Sequence, residues 1–304
     1  MPIALASIRN ELLPGLFDVR GSYDMIPRQW DKVFTTRKSS MAVERSTQMR
    51  LMGMPYLKDE GAATQFDNNA GERFNWNFIH QEIALGYAIT RKAIDDNLYK
   101  AQFNPTNLKL QEAFAQFKEI QGANILNTGT TYNNALVGDG VALFSTAHPY
   151  DGGTWANTTS SAQSLNEATL LQGMTNVRVN FVNEAGLRVL SRARRLVVPP
   201  QLEAVAIRLT KTELRPGTAS NDVNAILTLS GGLPEGHIVL DFLTSSFAWF
   251  LTTNIDGLIL MQRIPFEMDM WVDNITDNLL VKGYERYVFG YNDPRAGYGQ
   301  FPSS

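Results

Sequence analysis

Phe74-Asn75-Trp76-Asn77-Phe78 is the stretch that decides how this chain is organised. Large aromatics at every second position, with amides between them, have the period of a β-strand with one apolar face. Working backwards, a weaker strand over Thr47 to Leu57 precedes it. A polar, glycine-bearing tip lies between the two, from Lys58-Asp59-Glu60-Gly61 to Asn68-Asn69-Ala70-Gly71. Residues 46–90 therefore read as a long two-stranded ribbon. A lone hairpin is marginal in water and needs something beneath its apolar face. Phe74, Trp76 and Phe78 either dock on a neighbouring molecule or cap this chain's own core, and the pattern alone leaves both open.

Outward from the ribbon, the period changes. Arg91 to Tyr99 reads as a short helix. Asn104-Pro105 then reads as an N-cap and first helical position of a second one. Its stripe is Leu110, Ala113, Phe114, Phe117 and Ile120, with Lys109, Gln111, Glu112, Gln116, Lys118 and Glu119 facing away. From Pro105 to Leu126 this rod is ~33 Å long, and Asn127-Thr128-Gly129 ends it. Before the ribbon, residues 1–45 form an arm: Leu5, Ile8 and Leu12 share one helical face until Pro14-Gly15, and Trp30, Val33 and Phe34 are isolated anchors. Such a segment has no core of its own and must lie on this chain's body or on a neighbour.

The middle is mixed. Ser164-Leu165-Asn166-Glu167 reads as a capping box opening a helix through Leu171, Met174 and Val177. Asn183 to Gly186 reads as a turn, Leu187–Leu190 and Leu196–Val198 as strands, and Gln201–Leu209 as a helix after Pro199-Pro200. Arg215 to Asn224 reads as a polar loop. The end returns to strands at Phe247–Leu251, Leu258–Ile264, Phe266–Val272 and Leu279–Val281. Helices and strands come in separate runs without a βαβ rhythm, so the fold class is α+β.

The chemistry is sparse. Among 304 residues there is no cysteine, which excludes disulfides, thiolate metal sites and a cysteine nucleophile. His80, His148 and His237 are far apart in sequence and form no metal-binding motif. No metal or cofactor is expected. Asp95-Asp96 and Asp269/Asp273 are carboxylate pairs outside any calcium-loop pattern. Ser145, His148 and Asp151 hold the residue types of a hydrolase triad, but at three-residue spacing without a nucleophile elbow. No phosphate-cradling glycine loop is present. The expectation is a non-enzyme, with a hydrolase at Ser145/His148/Asp151 as the rival.

Charge is near balance, 27 basic against 30 acidic residues, which argues against a dedicated nucleic-acid binder. It is distributed in blocks: 8 basic and 5 acidic in 1–50, 8 and 13 in 51–186, 7 and 2 in 187–215, and 4 and 10 in 216–304. Alternating blocks suit either a surface that meets copies of itself or ordinary solvated faces. Arg192, Arg194 and Arg195 form the densest basic cluster, read as a solvated face or an intersubunit ion-pair strip. The N-terminus lacks a signal-peptide pattern and no run approaches the ~18 apolar residues of a membrane span, so no membrane partner is expected.

The order of pieces and four stretches of text carry a resemblance. They are Ala88-Ile89-Thr90 leading to Ile94-Asp95-Asp96; Gly138-Asp139-Gly140 leading to Leu143-Phe144-Ser145-Thr146-Ala147-His148-Pro149; Arg195-Leu196-Val197-Val198-Pro199-Pro200-Gln201-Leu202-Glu203; and Asp293-Pro294-Arg295-Ala296-Gly297-Tyr298-Gly299. Together they resemble the major capsid proteins of tailed bacteriophages, the Hong Kong 97 type, and within it the Mu-like major head proteins. The resemblance implies an N-arm over 1–45, an E-loop over 46–90, a peripheral domain of 91–131 with 241–304 built on a spine helix, and an axial domain over 132–240. It implies self-assembly into hexamers and pentamers of an icosahedral head enclosing double-stranded DNA without sequence specificity. Virion location and assembly in the bacterial host cytoplasm follow, with scaffolding, portal and decoration proteins as partners. Phe74, Trp76, Phe78, Leu5, Ile8 and Leu12 become intersubunit contacts. Some relatives begin with a long helical scaffolding segment, and this sequence shows none. Others form Lys–Asn crosslinks, which Lys58 alone does not predict. Encapsulin compartments share the fold and are the alternative shell.

Overall fold

The computed structural model describes residues 23–50, 53–64, 66, 71–96, 100–212, 224–228 and 232–303. The expected contacts Leu5, Ile8 and Leu12, and most of the loop Arg215–Asn224, lie outside these residues.

Two long strands organise the larger half. β11 (Leu258–Val272) and β12 (Leu279–Tyr291) pair antiparallel over their whole length, from Leu258 opposite Tyr291 to Val272 opposite Leu279. The two expected strands 258–264 and 266–272 are thus one. Pro265, which cannot donate to a ladder, sits in a register shift between Ile264 and Glu267, where a bulge tolerates it. β1 (Thr35–Lys38) joins this sheet parallel to β11, and β4 (Gln81–Ile89) joins antiparallel to β12, giving the order β1-β11-β12-β4.

The long helix lies over that sheet. α1 (Arg91–Asp95) is short, and α2 runs from Lys100 to Asn127. The expected cap at Asn104 is therefore inside the helix, and Pro105 sits in its second turn. Burial of Phe103 in the helix–sheet core offsets the hydrogen bond that a proline cannot make. At 28 residues α2 is about 42 Å long. Its buried face also differs from the apolar stripe: Gln111 and Lys118, expected outside, are buried, while Phe117 is exposed. Helix and sheet approach closely where β12 has Gly283; a Cβ there would lie 2.7 Å from the Phe114 ring.

The ribbon is β2 (Val43–Met49) against β3 (Glu72–Ile79), with β5 (Val137–Gly138) on the outer side of β3. The outgoing strand is earlier than Thr47–Leu57, and the described residues between Gly53 and Thr64 carry no strand. After His80 the chain leaves the ribbon and enters the main sheet as β4, so residues 81–89 are not ribbon.

A second sheet, β13-β10-β8-β9, combines β8 (Ala193–Val198), β9 (His237–Val239), β10 (Trp249–Thr253) and β13 (Gly297–Gln300). No strand forms over Leu187–Leu190. α3 (Glu167–Asn180) and α4 (Glu203–Lys211) cover the sheet, with Leu170, Met174, Val177, Ala206 and Leu209 in the shared core. The cap of α3 is Asn166 with Thr169 rather than Ser164 with Glu167, because Asn166 accepts from the Thr169 amide at 2.9 Å. Pairing of β8 with β10 and of β10 with β13 carries this sheet across residue 240. The small hairpin β6 (His148–Tyr150) and β7 (Gly153–Trp155) and the single turn α5 (Ala225–Thr228) complete the described elements.

Candidate functional site

The ribbon's two ends have opposite environments. At its root Trp76 and Phe78 are at 0% exposure, packed with Trp30, Phe34, Leu126, Leu136, Phe144 and Phe289. These residues, expected to touch a neighbour, fill this chain's own core, because β3 runs directly over the junction of sheet, helix end and β5. Gly138 makes the fit possible: its φ is +69°, and a Cβ would lie 2.3 Å from the Trp76 indole nitrogen. Phe74 is half-buried and meets Trp76 edge to face at 6.0 Å.

Toward the tip the apolar side chains are bare. Met54 (75%), Leu57 (101%) and Phe66 (84%) stand in solvent, and Met49 at the end of β2 is exposed as well. Scattered exposed apolar residues are ordinary, but these share one projection of the chain. A receptive surface lies elsewhere, on α2 and β4. Ile83, Ala84, Leu85, Ala113, Phe114 and Phe117, with Glu82 at one end, line an open groove of about 380 Å³. It runs along β4, an edge strand whose residues are mostly exposed. Among the described residues, only β12 pairs with β4. Unpaired strand edges of this kind invite another chain. Pattern reading misses Leu85 and assigns Phe117 to the core; the mismatch between the α2 stripe and the buried face is the signal that exposes both.

The described root of the arm is fastened to α2. Tyr23 stacks on Phe266 at 4.4 Å and donates to Glu285 at 3.1 Å. Glu285 also takes the Lys118 ammonium at 2.7 Å, and both side chains are nearly inaccessible. The Lys118 ammonium lies 4.6 Å from the Tyr287 ring centre, and burial pulls its pKa down while Glu285 pulls it up. Glu119 accepts from the Gln29 and Trp30 amides at 2.7 and 3.0 Å, and burial raises its carboxyl above the ordinary range. Trp30 and Phe34 are buried in this chain's own core, so the arm residues from Tyr23 onward belong to the body.

The hydrolase reading fails on geometry. Ser145 Oγ accepts from the Ala147 amide and makes no bond to His148. His148 places Nδ1 at 2.6 Å from Asp139 and Nε2 at 3.1 Å from Asn157, and stacks on Trp155. Asp151 instead pairs with Arg50 and Arg73, fastening the ribbon to the hairpin β6–β7. Asp95 pairs with Arg91 on the helix surface at 3.0 Å. Asp273 accepts from the Thr276 hydroxyl and the Ile275 amide in the β11–β12 turn. Arg194 and Arg195 both bind Glu235, and Arg192 is exposed. Among the described residues no cluster of His, Asp and Glu could hold a metal ion, and no helix is long and apolar enough to cross a membrane.

A family model described as phage capsid protein matches residues 80–299. No curated protein matches the chain. Among solved structures, the chain is similar to the mature capsid of bacteriophage PhiM1, with 10% identity and a TM-score of 0.57 over 92% of this chain and 89% of that one. It is similar to the virus-like particle from Pyrococcus furiosus, with 11% identity and a TM-score of 0.54 over 96% and 98%. The procapsid of bacteriophage JBD30 follows, with 13% identity and a TM-score of 0.52 over 99% and 77%. At such identities the likeness is one of fold.

Proposed function

The chain belongs to the phage capsid protein family, and from that premise we propose how its copies join. It is a shell-forming major capsid protein of the Hong Kong 97-like fold, and the family match favours this over an encapsulin compartment. In our reading the ribbon tip of one copy, through Met54, Leu57 and Phe66, seats on the α2–β4 groove of the next. The observation that carries this is the separation of the two surfaces. Leu57 is fully exposed and Leu85 half-exposed in the same chain, so neither covers the other. A knob and a groove on different parts of one subunit make a head-to-tail contact, which closes as a ring when the rotation between successive copies divides a full turn. Rings of six and five then build an icosahedral head around double-stranded DNA, held without sequence specificity.

We assign the part of 1–45 that precedes Tyr23 to the projecting N-arm, with Leu5, Ile8 and Leu12 contacting a neighbour, and the ribbon of 43–79 to the E-loop, with Phe74 at the margin of its contact. The peripheral domain is 91–131 with the β11–β12 part of 241–304, and the axial domain is 132–240 together with the strands β10 and β13 that pair with it. The role is structural rather than enzymatic. Scaffolding, portal and decoration proteins are the expected partners, and assembly takes place in the host cytoplasm before residence in the virion. Light scattering and electron microscopy of the purified chain test this. Rings and shells are expected; a persistent monomer under every assembly condition would sink it. Replacing Leu57 and Phe66 by Ser should abolish rings while leaving the subunit folded.

A further inference from the structure

We propose that His80 is a proton-operated latch setting the angle at which the ribbon leaves the main sheet: neutral, it closes the joint, and protonated, it releases it.

His80 is the single residue between β3 and β4, where the chain passes from the ribbon into the sheet, and it is only 7% exposed. Its Nε2 lies 2.6 Å from Ser39 Oγ. Ser39 is the residue after β1, and its own amide is bonded to the Gln262 carbonyl of β11 at 2.9 Å. The Ser39 hydroxyl also reaches Glu44 Oε1, on β2, at 2.8 Å. Ser39 therefore ties the main sheet, through its amide, to β2 and to the β3–β4 joint, through its hydroxyl.

The proton count on this joint is determined by its partners. Ser39 Oγ has two pure acceptors in reach, Glu44 Oε1 and the Met41 carbonyl at 3.2 Å, so its one proton points away from His80, and His80 Nε2–H donates to Ser39 Oγ. Glu44 is further held by the Ser40 and Met41 amides at 2.9 and 3.1 Å. That leaves His80 Nδ1 as a bare lone pair, buried and without a hydrogen-bond partner. The charged groups around it are Glu44 of β2, Arg263 of β11 and Arg286 of β12. Glu82 of β4 stands 3.6 Å from Arg286. Arg263 Nη1 and Arg286 Nε are themselves buried donors without partners. A proton on Nδ1 would add a donor with no acceptor and a third positive charge to two guanidinium groups. An unpaired buried donor of that kind is removed by opening the joint to water.

The electrostatics run the same way. Burial, then Arg286 and Arg263, hold the His80 pKa below its ordinary 6.5, with Glu44 opposing them. The Glu44 carboxyl is itself held low, first by Ser39 and then by the two amides, so it stays charged throughout the histidine range. Well above pH 6.5 the closed and open joints both carry neutral histidine and their balance does not depend on pH. Below it the open joint takes the proton first, so closure weakens as pH falls until the closed-state pKa is passed.

Hydrogen–deuterium exchange on the full-length chain, corrected for intrinsic rates, tests this in peptides covering 37–45 and 77–83. Exchange there should rise about ten-fold for each unit by which the closed-state pKa is depressed, as pH falls through the histidine range. His80→Gln keeps a donor for Ser39 but cannot titrate, and should show no rise. Should His80→Gln fail to fold, Arg263→Gln serves: with one positive neighbour gone, the rise should shrink, because the closed-state pKa moves back toward its ordinary value. A flat wild-type profile, the same rise in His80→Gln, or an undiminished one in Arg263→Gln overturns the latch. The reading stands apart from shell assembly, since a ribbon that assembles normally without this pH response refutes only the latch.

Discussion

The root and the tip of the ribbon carry the same kind of side chain and use it in opposite ways. At the root Trp76 and Phe78 vanish into a core shared with the sheet, the end of α2 and the 136–144 loop. At the tip Leu57 and Phe66 stand free. Both ends carry large apolar side chains, although the tip from 58 to 71 is otherwise polar; what differs is whether a second layer of this chain lies within reach. A strand near the body spends its apolar face on folding. A projection has nothing below it, and its apolar face stays open to solvent.

Five variants bear on this contrast. Phe78→Ala should strike the root hardest, lowering stability by about 3–5 kcal/mol in thermal or chemical denaturation; a near-neutral result would mean the root is not core. Lys118→Met comes close behind, because it leaves the Glu285 carboxylate buried with its cation removed, at a cost of about 3 kcal/mol. The double change Lys118→Met with Glu285→Gln should recover most of that loss, since glutamine still accepts from Tyr23. Gly138→Ala forces a Cβ against the Trp76 ring at a positive φ and should cost about 1–3 kcal/mol. Its main effect should be to loosen the root without touching the tip, read as faster amide exchange across β3 and β5. At the other extreme, Leu57→Ser should shift stability by no more than about 0.5 kcal/mol while particle yield collapses in light scattering. If that variant assembles normally, the tip is an ordinary exposed surface and the contrast fails.

Much of the architecture was legible because period is a strong signal. The ribbon's return strand, the long helix ending at Asn127, the helices after Asn166 and Pro200 and the closing strands all follow alternation or helical spacing. The failures have physical causes. Pro105 looked like a helix start because local preference weighs its missing N–H, whereas burial of Phe103 carries the helix one turn further back. Gln111 and Lys118 looked like solvent-facing residues because a stripe is judged by apolarity. In the fold they are buried against the sheet, where Glu285 of β12 gives Lys118 a partner that no local reading can see. The surfaces were half legible: aromatic alternation marked a docking strand without telling which layer it docks on. The groove, formed by α2 and β4 side chains brought together only by folding, left no contiguous trace.

The proposed head-to-tail arrangement of knob and groove has a genetic consequence. A subunit whose tip is spoiled still presents an intact groove, so it accepts a normal neighbour and then offers nothing onward. Each such copy is a chain terminator rather than a mere absentee. In a cell making both forms, the fraction of intact rings should fall as the normal fraction raised to the ring size, so a minority of tip-defective subunits would be dominant over the wild type.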